Sequence, residues 1–474
     1  MSGPLQRLAA QGAAIERLTS DSRRCAPGAA FFAYPGEKAD GRAYIADATR
    51  RGASGVVWEA DGFAWREEWR VPNVAVDGLK QRASEIAGEF HGHPSRALWM
   101  CGVTGTNGKT SSSQWLAAAL ARAGTKAAVI GTLGSGFPGA LGNATNTTPD
   151  ALELQERLER FRAEGARAVA MEVSSHGLAQ GRVAGVQFAC ALFTNLSHDH
   201  LDYHGTMQAY GEAKARLFSM PGLQAAVINV DDPFGLELAR RLDGRMRTIG
   251  YGLSSQKTGE WLRADEDMNV SSSWGGARLR TAQLGRFNVA NALGVLGCLV
   301  AHGIVFERAV RLLDELPSVP GRMQAVGERP LVVIDYAHTP DALEKVLDAL
   351  RPVAARRGGK LVAVFGAGGD RDPTKRPVMG AVATRLADRV LVTSDNPRSE
   401  DPLQIVLQVK GKTRSDIEPD RAKAIERAIR EAQEQDVVLI AGKGHEDYQE
   451  IAGRRLPFSD AAAARAALDA RVGR

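Results

Sequence analysis

Short apolar runs alternate with amphipathic stretches along most of the chain. Residues 98–103 (Leu-Trp-Met-Cys-Gly-Val) are almost wholly apolar, the pattern of a strand covered on both faces. Residues 111–123 then read as a helix. Further strand-like runs fall at 126–130, 168–173, 189–195 and 225–229, and later at 331–335, 361–365, 389–393 and 436–441, with helical stretches between them. This alternation predicts βαβ units around parallel sheets, and hence an α/β fold.

Two polar breaks interrupt the pattern, His91-Gly-His-Pro-Ser-Arg96 and Leu316-Pro-Ser-Val-Pro-Gly-Arg322. Pro-Gly clusters of this kind mark linkers. Boundaries near 97 and 325 give units at 1–97, 98–325 and 326–474, as expected for 474 residues at roughly 150 per domain. No solenoid-type repeat or low-complexity segment is visible.

Composition narrows the class. A hydrophobic content of 44% with 24% charged residues excludes a disordered or fibrous chain. Sixty Lys+Arg against 55 Asp+Glu leave +5, too little and too dispersed to argue for nucleic acid. No basic patch interleaved with aromatics appears, and aromatics are 6%. Cys25, Cys101, Cys190 and Cys298 are widely spaced, which fits a reducing compartment and not a disulfide scaffold or zinc ribbon. Neither a signal-peptide core nor a membrane-spanning run is present, so a soluble, cytoplasmic protein is expected.

The strongest chemical signal is Val103-Thr-Gly-Thr-Asn-Gly-Lys-Thr110, between a predicted strand and a predicted helix. Backbone N–H groups of such a loop cradle phosphate, Lys109 reaches the terminal phosphates and Thr110 suits Mg²⁺. The loop departs from a strict P-loop in having Val103 where the first glycine would stand. Glu172, in Met171-Glu-Val-Ser-Ser-His176, ends a strand-like run, where parallel sheets place ligand groups, and could join Thr110 at a metal. The stretch Thr194-Asn-Leu-Ser-His-Asp-His-Leu-Asp-Tyr-His204 carries three histidines. Their spacing could suggest zinc, but the rest of a closed zinc site is missing, and one histidine near metal-bound phosphate is the better expectation. Lys214, on a helical stretch, reads on physics alone as a solvated or salt-bridged side chain.

The last third carries Asp335-Tyr-Ala-His-Thr-Pro-Asp341, Gly366-Ala-Gly-Gly-Asp-Arg-Asp372, Asp395-Asn-Pro-Arg398 and Ala441-Gly-Lys-Gly-His-Glu446. Each follows a predicted strand, so all four should gather on one sheet edge as a binding site.

Together the glycine loop, Glu-Val-Ser-Ser-His, Asp199-His-Leu-Asp and Asp-Tyr-Ala-His-Thr-Pro resemble the ATP-dependent Mur ligases, over nearly the whole chain from Asp21-Ser-Arg23 and Ala39-Asp-Gly-Arg42 to Gly444-His-Glu446. The resemblance implies a small UDP-binding domain, a central P-loop ATPase domain and a C-terminal Rossmann-like domain. It is nearest to the family branch that adds the third residue of the peptidoglycan stem peptide. The implied substrates are UDP-N-acetylmuramoyl-L-alanyl-D-glutamate, ATP and meso-diaminopimelate, with Mg²⁺ as cofactor, a monomeric state and no nucleic-acid or membrane partner.

Residue roles follow from the same resemblance. Gly105, Thr106, Asn107, Gly108, Lys109, Thr110 and Ser111, with Asn291, Arg322 and Asp335, are implied to bind ATP. Ser20, Ser22 and the turn Glu37, Lys38, Ala39 are implied at the uridine end. Asn146, Thr147, Thr148, Ser174, Gln180 and Arg182 are implied to meet sugar, diphosphate and peptide. Thr110, Glu172, His200 and Lys214 are implied at the metal, Lys214 as a carbamate, which reverses the plain reading of that lysine. Lys109, Lys214, Glu172 and His200 form the implied catalytic set. Arg371, Asp395, Asn396, Pro397, Arg398, Gly442 and Glu446 are implied to hold the incoming amino acid, with Arg398 selecting the distal carboxylate of diaminopimelate. Rival readings are a folylpolyglutamate synthase or a lysine-adding relative with the same machinery, and a nucleic-acid-dependent ATPase. Folate offers no use for the Asp395–Arg398 loop or the UDP-type segments.

Overall fold

The structure is a computed structural model, describing residues 3–37, 39–144, 146–254, 259–265, 267–280 and 285–472. Three α/β sheets follow one another along the chain. The first is all parallel, in the order Arg17–Thr19, Ala29–Ala33, Gly55–Glu59, Asn73–Val76. Leu8, Leu79 and Ile86 cover one face, and Ile45 and Ala48 the other.

Among the described residues the central sheet has eleven strands. Its parallel body runs Glu260–Ala264, Arg247–Gly252, Ala225–Asn229, Cys190–Phe193, Trp99–Thr104, Ala168–Glu172, Ala127–Gly131. Beyond Ala127–Gly131 lie antiparallel Gly134–Phe137 and Ala140–Gly142, and beyond Glu260–Ala264 lie antiparallel Asn269–Ser272 and Gly275–Arg278. Short antiparallel strands thus extend both edges of the expected parallel sheet. The edge strands are short, three of the four carry glycine, and each antiparallel pair is joined by a tight turn, so no apolar run announces them. Helices Lys109–Arg122 and Arg286–Ala301 pack on one face with Leu116, Leu293 and Leu296 fully buried, while Leu158, Phe161 and Phe218 fill the other. Helix Arg286–Ala301 is apolar almost all round, as an enclosed helix should be.

The third sheet runs Gln324–Glu328, Leu331–Asp335, Val437–Ala441, Leu361–Phe365, Arg389–Val392, Asp416–Ile417, with only the first strand antiparallel. A boundary at 325 therefore falls inside a strand. Gln324 and Ala325 pair with Ile334 and Val333 and belong to the third sheet. Leu343 and Leu347 from one flanking helix and Ile425 and Ile429 from another seal its two faces.

In both larger sheets the parallel strands end on one edge, where loops carry ligand groups in folds of this type. Among the described residues no helix is long and apolar enough to cross a membrane.

Candidate active site

The glycine loop leaves the buried strand Trp99–Thr104 and enters helix Lys109–Arg122. Two of its glycines are required by close approach as well as by positive φ (144° and 84°). A Cβ on Gly105 would run into the Thr194 hydroxyl, and one on Gly108 into the Asn291 side-chain oxygen. Asn195 fixes the loop from the neighbouring strand's end, its Oδ1 accepting from Asn107 N at 3.0 Å and its Nδ2 donating to Asn107 O at 3.1 Å.

Lys109 Nζ donates to Gly105 O (2.9 Å) and Thr106 O (2.7 Å), folded back over the loop that phosphate would fill. Burial lowers its pKa, Glu172 and Asp199 oppose that, and Arg322 adds to it. The Thr110 hydroxyl donates to Glu172 Oε2 at 3.1 Å. Glu172 is fully buried, and Thr132 N donates to its Oε1 (2.8 Å) while Thr132 Oγ1 donates to its Oε2 (3.1 Å). Thr132 had no place in the sequence reading, although a residue directly following a parallel strand is where a site residue is expected.

Lys214 overturns the plain physical reading of a solvated lysine. It is 1% exposed, donates to Gly105 O at 2.8 Å and lies 4.3 Å above the Tyr210 ring centroid. Burial, reinforced by Lys109, drives its pKa well below the ordinary lysine value. His200 sits at φ 53°, its Nε2 3.4 Å from Asp199 Oδ2. Partial burial takes its pKa to about 4 against the pull of Asp199, with His176 and both lysines contributing. His204 turns aside to Ser175 Oγ (2.9 Å). Among the described residues, the only three His, Cys, Asp or Glu side chains close enough to share one ion are Cys101, Cys190 and Cys298.

This end of the central sheet faces the third sheet across a cavity of about 430 Å³ lined by Lys109, Glu172, Asn291, Arg322, Asp335 and His338, among others. Among the contacts that cross it are Arg322 Nη2 to Thr110 Oγ1 (3.4 Å) and Asn107 Nδ2 to Asp341 Oδ2 (3.4 Å). Arg322 also stacks 4.5 Å from the Tyr336 ring centroid. Asp335 is buried, accepting from Met323 N and Ala337 N at 2.8 Å each. Burial raises its pKa. Ser111 is buried at the start of the helix.

A second cavity, about 370 Å³, lies between the first and central sheets and is lined by Tyr34, Glu37, Lys80, Asp150, Gln180 and Arg182, with Ala39 at its edge. Glu37 accepts from Gln180, whose Oε1 takes a 2.8 Å bond from Arg182 Nε. Arg182 Nη1 donates to Thr148 O (2.7 Å), and the Thr148 hydroxyl bonds Glu172 O (3.0 Å) and Ser174 Oγ (3.1 Å). A continuous polar chain thus joins this cavity to Glu172. Thr147 Oγ1 is 3.1 Å from Thr132 Oγ1. Ser20 adjoins through Asp150 (3.1 Å), whereas Ser22 is buried against Asp47 (3.0 Å), away from the cavity lining. Asn146 is exposed, and Lys38 lies outside the described residues. Tyr34 and Lys80 are additions that no motif flagged.

The four loops of the third sheet do meet. Lys443 Nζ, fully buried, donates to Asn396 Oδ1 (3.0 Å) and Glu446 Oε2 (2.9 Å), and Asn396 Nδ2 donates to the same Glu446 oxygen (2.8 Å). Arg398 donates to Gly369 O at 2.6 Å, with Glu450 at 3.8 Å. A Cβ on Gly442 would strike Asp395. Beneath them Arg421 forms a wholly buried pair with Asp460 (2.7 Å) and donates to Ser394 O and Ala441 O. Arg376 clamps Glu400 through two 2.8 Å bonds and Gly368 O at 3.1 Å. Pro397 links Asn396 to Arg398, and Arg371 is exposed near Lys375. Lys443, Arg421 and Arg376 had no assigned role. Lys443 lies within the Ala441–Glu446 motif, but nothing in sequence marks a buried arginine.

Three family models match: the "Mur ligase family, catalytic domain" at residues 14–91, the "Mur ligase middle domain" at 103–299 and the "Mur ligase, glutamate ligase domain" at 321–444. A protein of Chromobacterium violaceum named UDP-N-acetylmuramoyl-L-alanyl-D-glutamate–2,6-diaminopimelate ligase is 51% identical, covering 97% of this chain and 95% of its own. A Pseudomonas aeruginosa protein of the same name is 51% identical, covering 96% and 95%. A solved structure titled as that ligase superposes with TM-score 0.67 at 37% identity, covering 97% and 95%. The MurF ligase of Thermotoga maritima in complex with ADP shares the fold, with TM-score 0.63 at 20% identity over 97% of this chain and 99% of its own. On its motifs, its three sheets and these matches, the chain belongs to the Mur ligase family of ATP-using ligases.

Proposed function

We propose that the chain joins meso-diaminopimelate to the D-glutamate of UDP-N-acetylmuramoyl-L-alanyl-D-glutamate, consuming ATP. The observation that carries this reading is one cleft that sets the glycine loop and buried Glu172 against the Asp335–Thr339 loop of the third sheet, with buried Lys214 bonded to Gly105 O, in a chain 51% identical to proteins bearing that ligase's name.

Carboxylate and amine do not condense in water without activation. The D-Glu side-chain carboxylate attacks the γ-phosphorus of ATP, the bond to ADP breaks and an acyl phosphate forms. The diaminopimelate amine then attacks the acyl carbon, and the tetrahedral intermediate expels phosphate as the amide closes. Lys109 swings from the loop carbonyls to the transferring phosphoryl group and offsets its charge. The polar chain from Arg182 through Thr148 to Glu172 sets the peptide end of the acceptor near that phosphate. Arg322 and Asn107, reaching across the cleft, close it against water.

The donor set fits a hard divalent cation: the Thr110 hydroxyl and the Glu172 carboxylate are within hydrogen-bond distance, and His200 is held neutral nearby. When bound, Mg²⁺ supplies charge neutralisation on the phosphates. Lys214 joins this set as a carbamate. Burial favours the neutral, nucleophilic amine, whose nitrogen forms a bond to the carbon of CO₂ as one proton leaves. The anion that results suits a hard cation where an ammonium would repel it.

The test is phosphate release with the purified chain. It should require ATP, the UDP-muramyl dipeptide and diaminopimelate together. Release with either acceptor alone, or equal use of L-lysine, overturns the assignment.

A further inference from the structure

The core of the central sheet contains a cluster that the ligase chemistry does not use. Cys101 and Cys190 are register partners on adjacent parallel strands, and Cys298 comes down on them from helix Arg286–Ala301. All three are fully buried, and their Sγ atoms lie within 4.8 Å of one another, Cys101 and Cys298 at 3.8 Å. Three sulfurs at about 2.3 Å from one centre stand about 4 Å apart, so little movement would make the triangle a coordination site.

We infer that Cys101, Cys190 and Cys298 form a trigonal thiolate site for a soft cation, with Cu(I) as the ion it fits. Soft thiolate ligands select Cu(I) and zinc among the common metals. Closed zinc sites are four-coordinate, and no fourth His, Cys, Asp or Glu joins this group among the described residues. The surroundings, including Val103, Leu192, Val227 and Leu296, are apolar, so water does not complete the shell either. Cu(I) is satisfied by three sulfurs. Each thiol that becomes a thiolate loses its proton to solvent.

The position gives binding a consequence. Cys101 precedes Gly105 by four residues and Cys190 precedes Thr194 by four, while Cys298 follows Asn291 by seven, two helical turns. The strands and helix that present the glycine loop, the Thr194 loop and Asn291 would therefore be tied together by one ion.

The experiment is anaerobic transfer of Cu(I) from a chromophoric chelator to the intact protein. One Cu(I) per chain is expected, with time-dependent uptake because the sulfurs are buried, and X-ray absorption should show three sulfur scatterers. Cys25→Ala, altering the one cysteine outside the cluster, should keep the site. Cys298→Ser should weaken it by at least about 100-fold, beyond the range of outer-shell changes, with Cys101→Ala a second variant should the serine disturb folding. No transfer, coordination by two sulfurs, or unchanged uptake in either cluster variant that still melts cooperatively overturns the proposal.

Discussion

The two ends of the cleft handle charge in opposite ways. At the glycine-loop end, Lys109 bonds only backbone carbonyls, and among the described residues it has no carboxylate within ion-pair distance. At the third-sheet end four cations already have an anion: Lys443 with Glu446, Arg398 with Glu450, Arg421 with Asp460, Arg376 with Glu400. The first arrangement leaves positive potential for phosphates to satisfy. The second fixes loop positions in advance, so that under the proposed function an incoming zwitterionic amino acid would meet a rigid frame whose charges it must match. Transfer chemistry calls for the former and selection for the latter.

The contrast is broken most severely at the loop end. Lys109→Ala should lower amide formation by about 10²–10³-fold or more, with UDP-dipeptide binding nearly unchanged because that cavity lies between other elements. Steady-state rates beside calorimetric binding separate the two; unchanged turnover would remove the loop from the mechanism. Lys214→Ala should be as inactive, with partial recovery by short-chain carboxylic acids. Intact mass of the active parent should exceed the sequence mass by one CO₂, and full activity of an unmodified lysine would overturn the carbamate.

At the third-sheet end the largest effect should be on stability. Arg421→Met leaves Asp460 charged and wholly buried, which costs about 3–5 kcal/mol, measurable as a lowered denaturation midpoint. Arg398→Ala should act on choice instead. Arg398 is partly exposed, so the loss of preference for diaminopimelate over lysine should be near the lower end of the range for such pairs, about 2 kcal/mol, read as a ratio of kcat/KM values. An unaltered ratio would assign selection to other groups.

Sequence legibility follows the same division. The parallel strands were readable because burial on both faces makes them continuously apolar, as in Val437–Ala441. The glycine loop was readable because its chemistry dictates residue types. Lys214 was not readable by physics: helix Met207–Ala215 has no marked apolar stripe, and only the fold shows that its last turn packs beneath Gly105. Arg421 and Arg376 look like surface residues until Asp460 and Glu400, far along the chain, are seen to enclose them. Thr132, Tyr34 and Lys80 gain their place from the juxtaposition of different sheets, which no local pattern encodes.

The subtlest distinction between the two ends is how the paired frame responds to acid. Arg376, 1% exposed, holds Glu400 with two bonds, and Asp370 N adds a third at 2.6 Å. These interactions, the Arg376 hydrogen bonds foremost, take the Glu400 pKa from 4.5 to about 2. A carboxyl with a depressed folded-state pKa favours the native state fully above its unfolded value. That contribution shrinks as pH falls below about 4.5 and is gone near 2, since the unfolded chain then binds the proton first. Glu400 is one-third exposed, so solvent screening keeps the contribution to about 1 kcal/mol. Urea midpoints of the parent and Glu400→Gln should therefore differ by a constant amount from pH 7 to 5 and converge as pH drops toward 3. A gap that stays constant down to pH 3 would mean that the carboxylate's charge contributes nothing and that the clamp acts through shape alone.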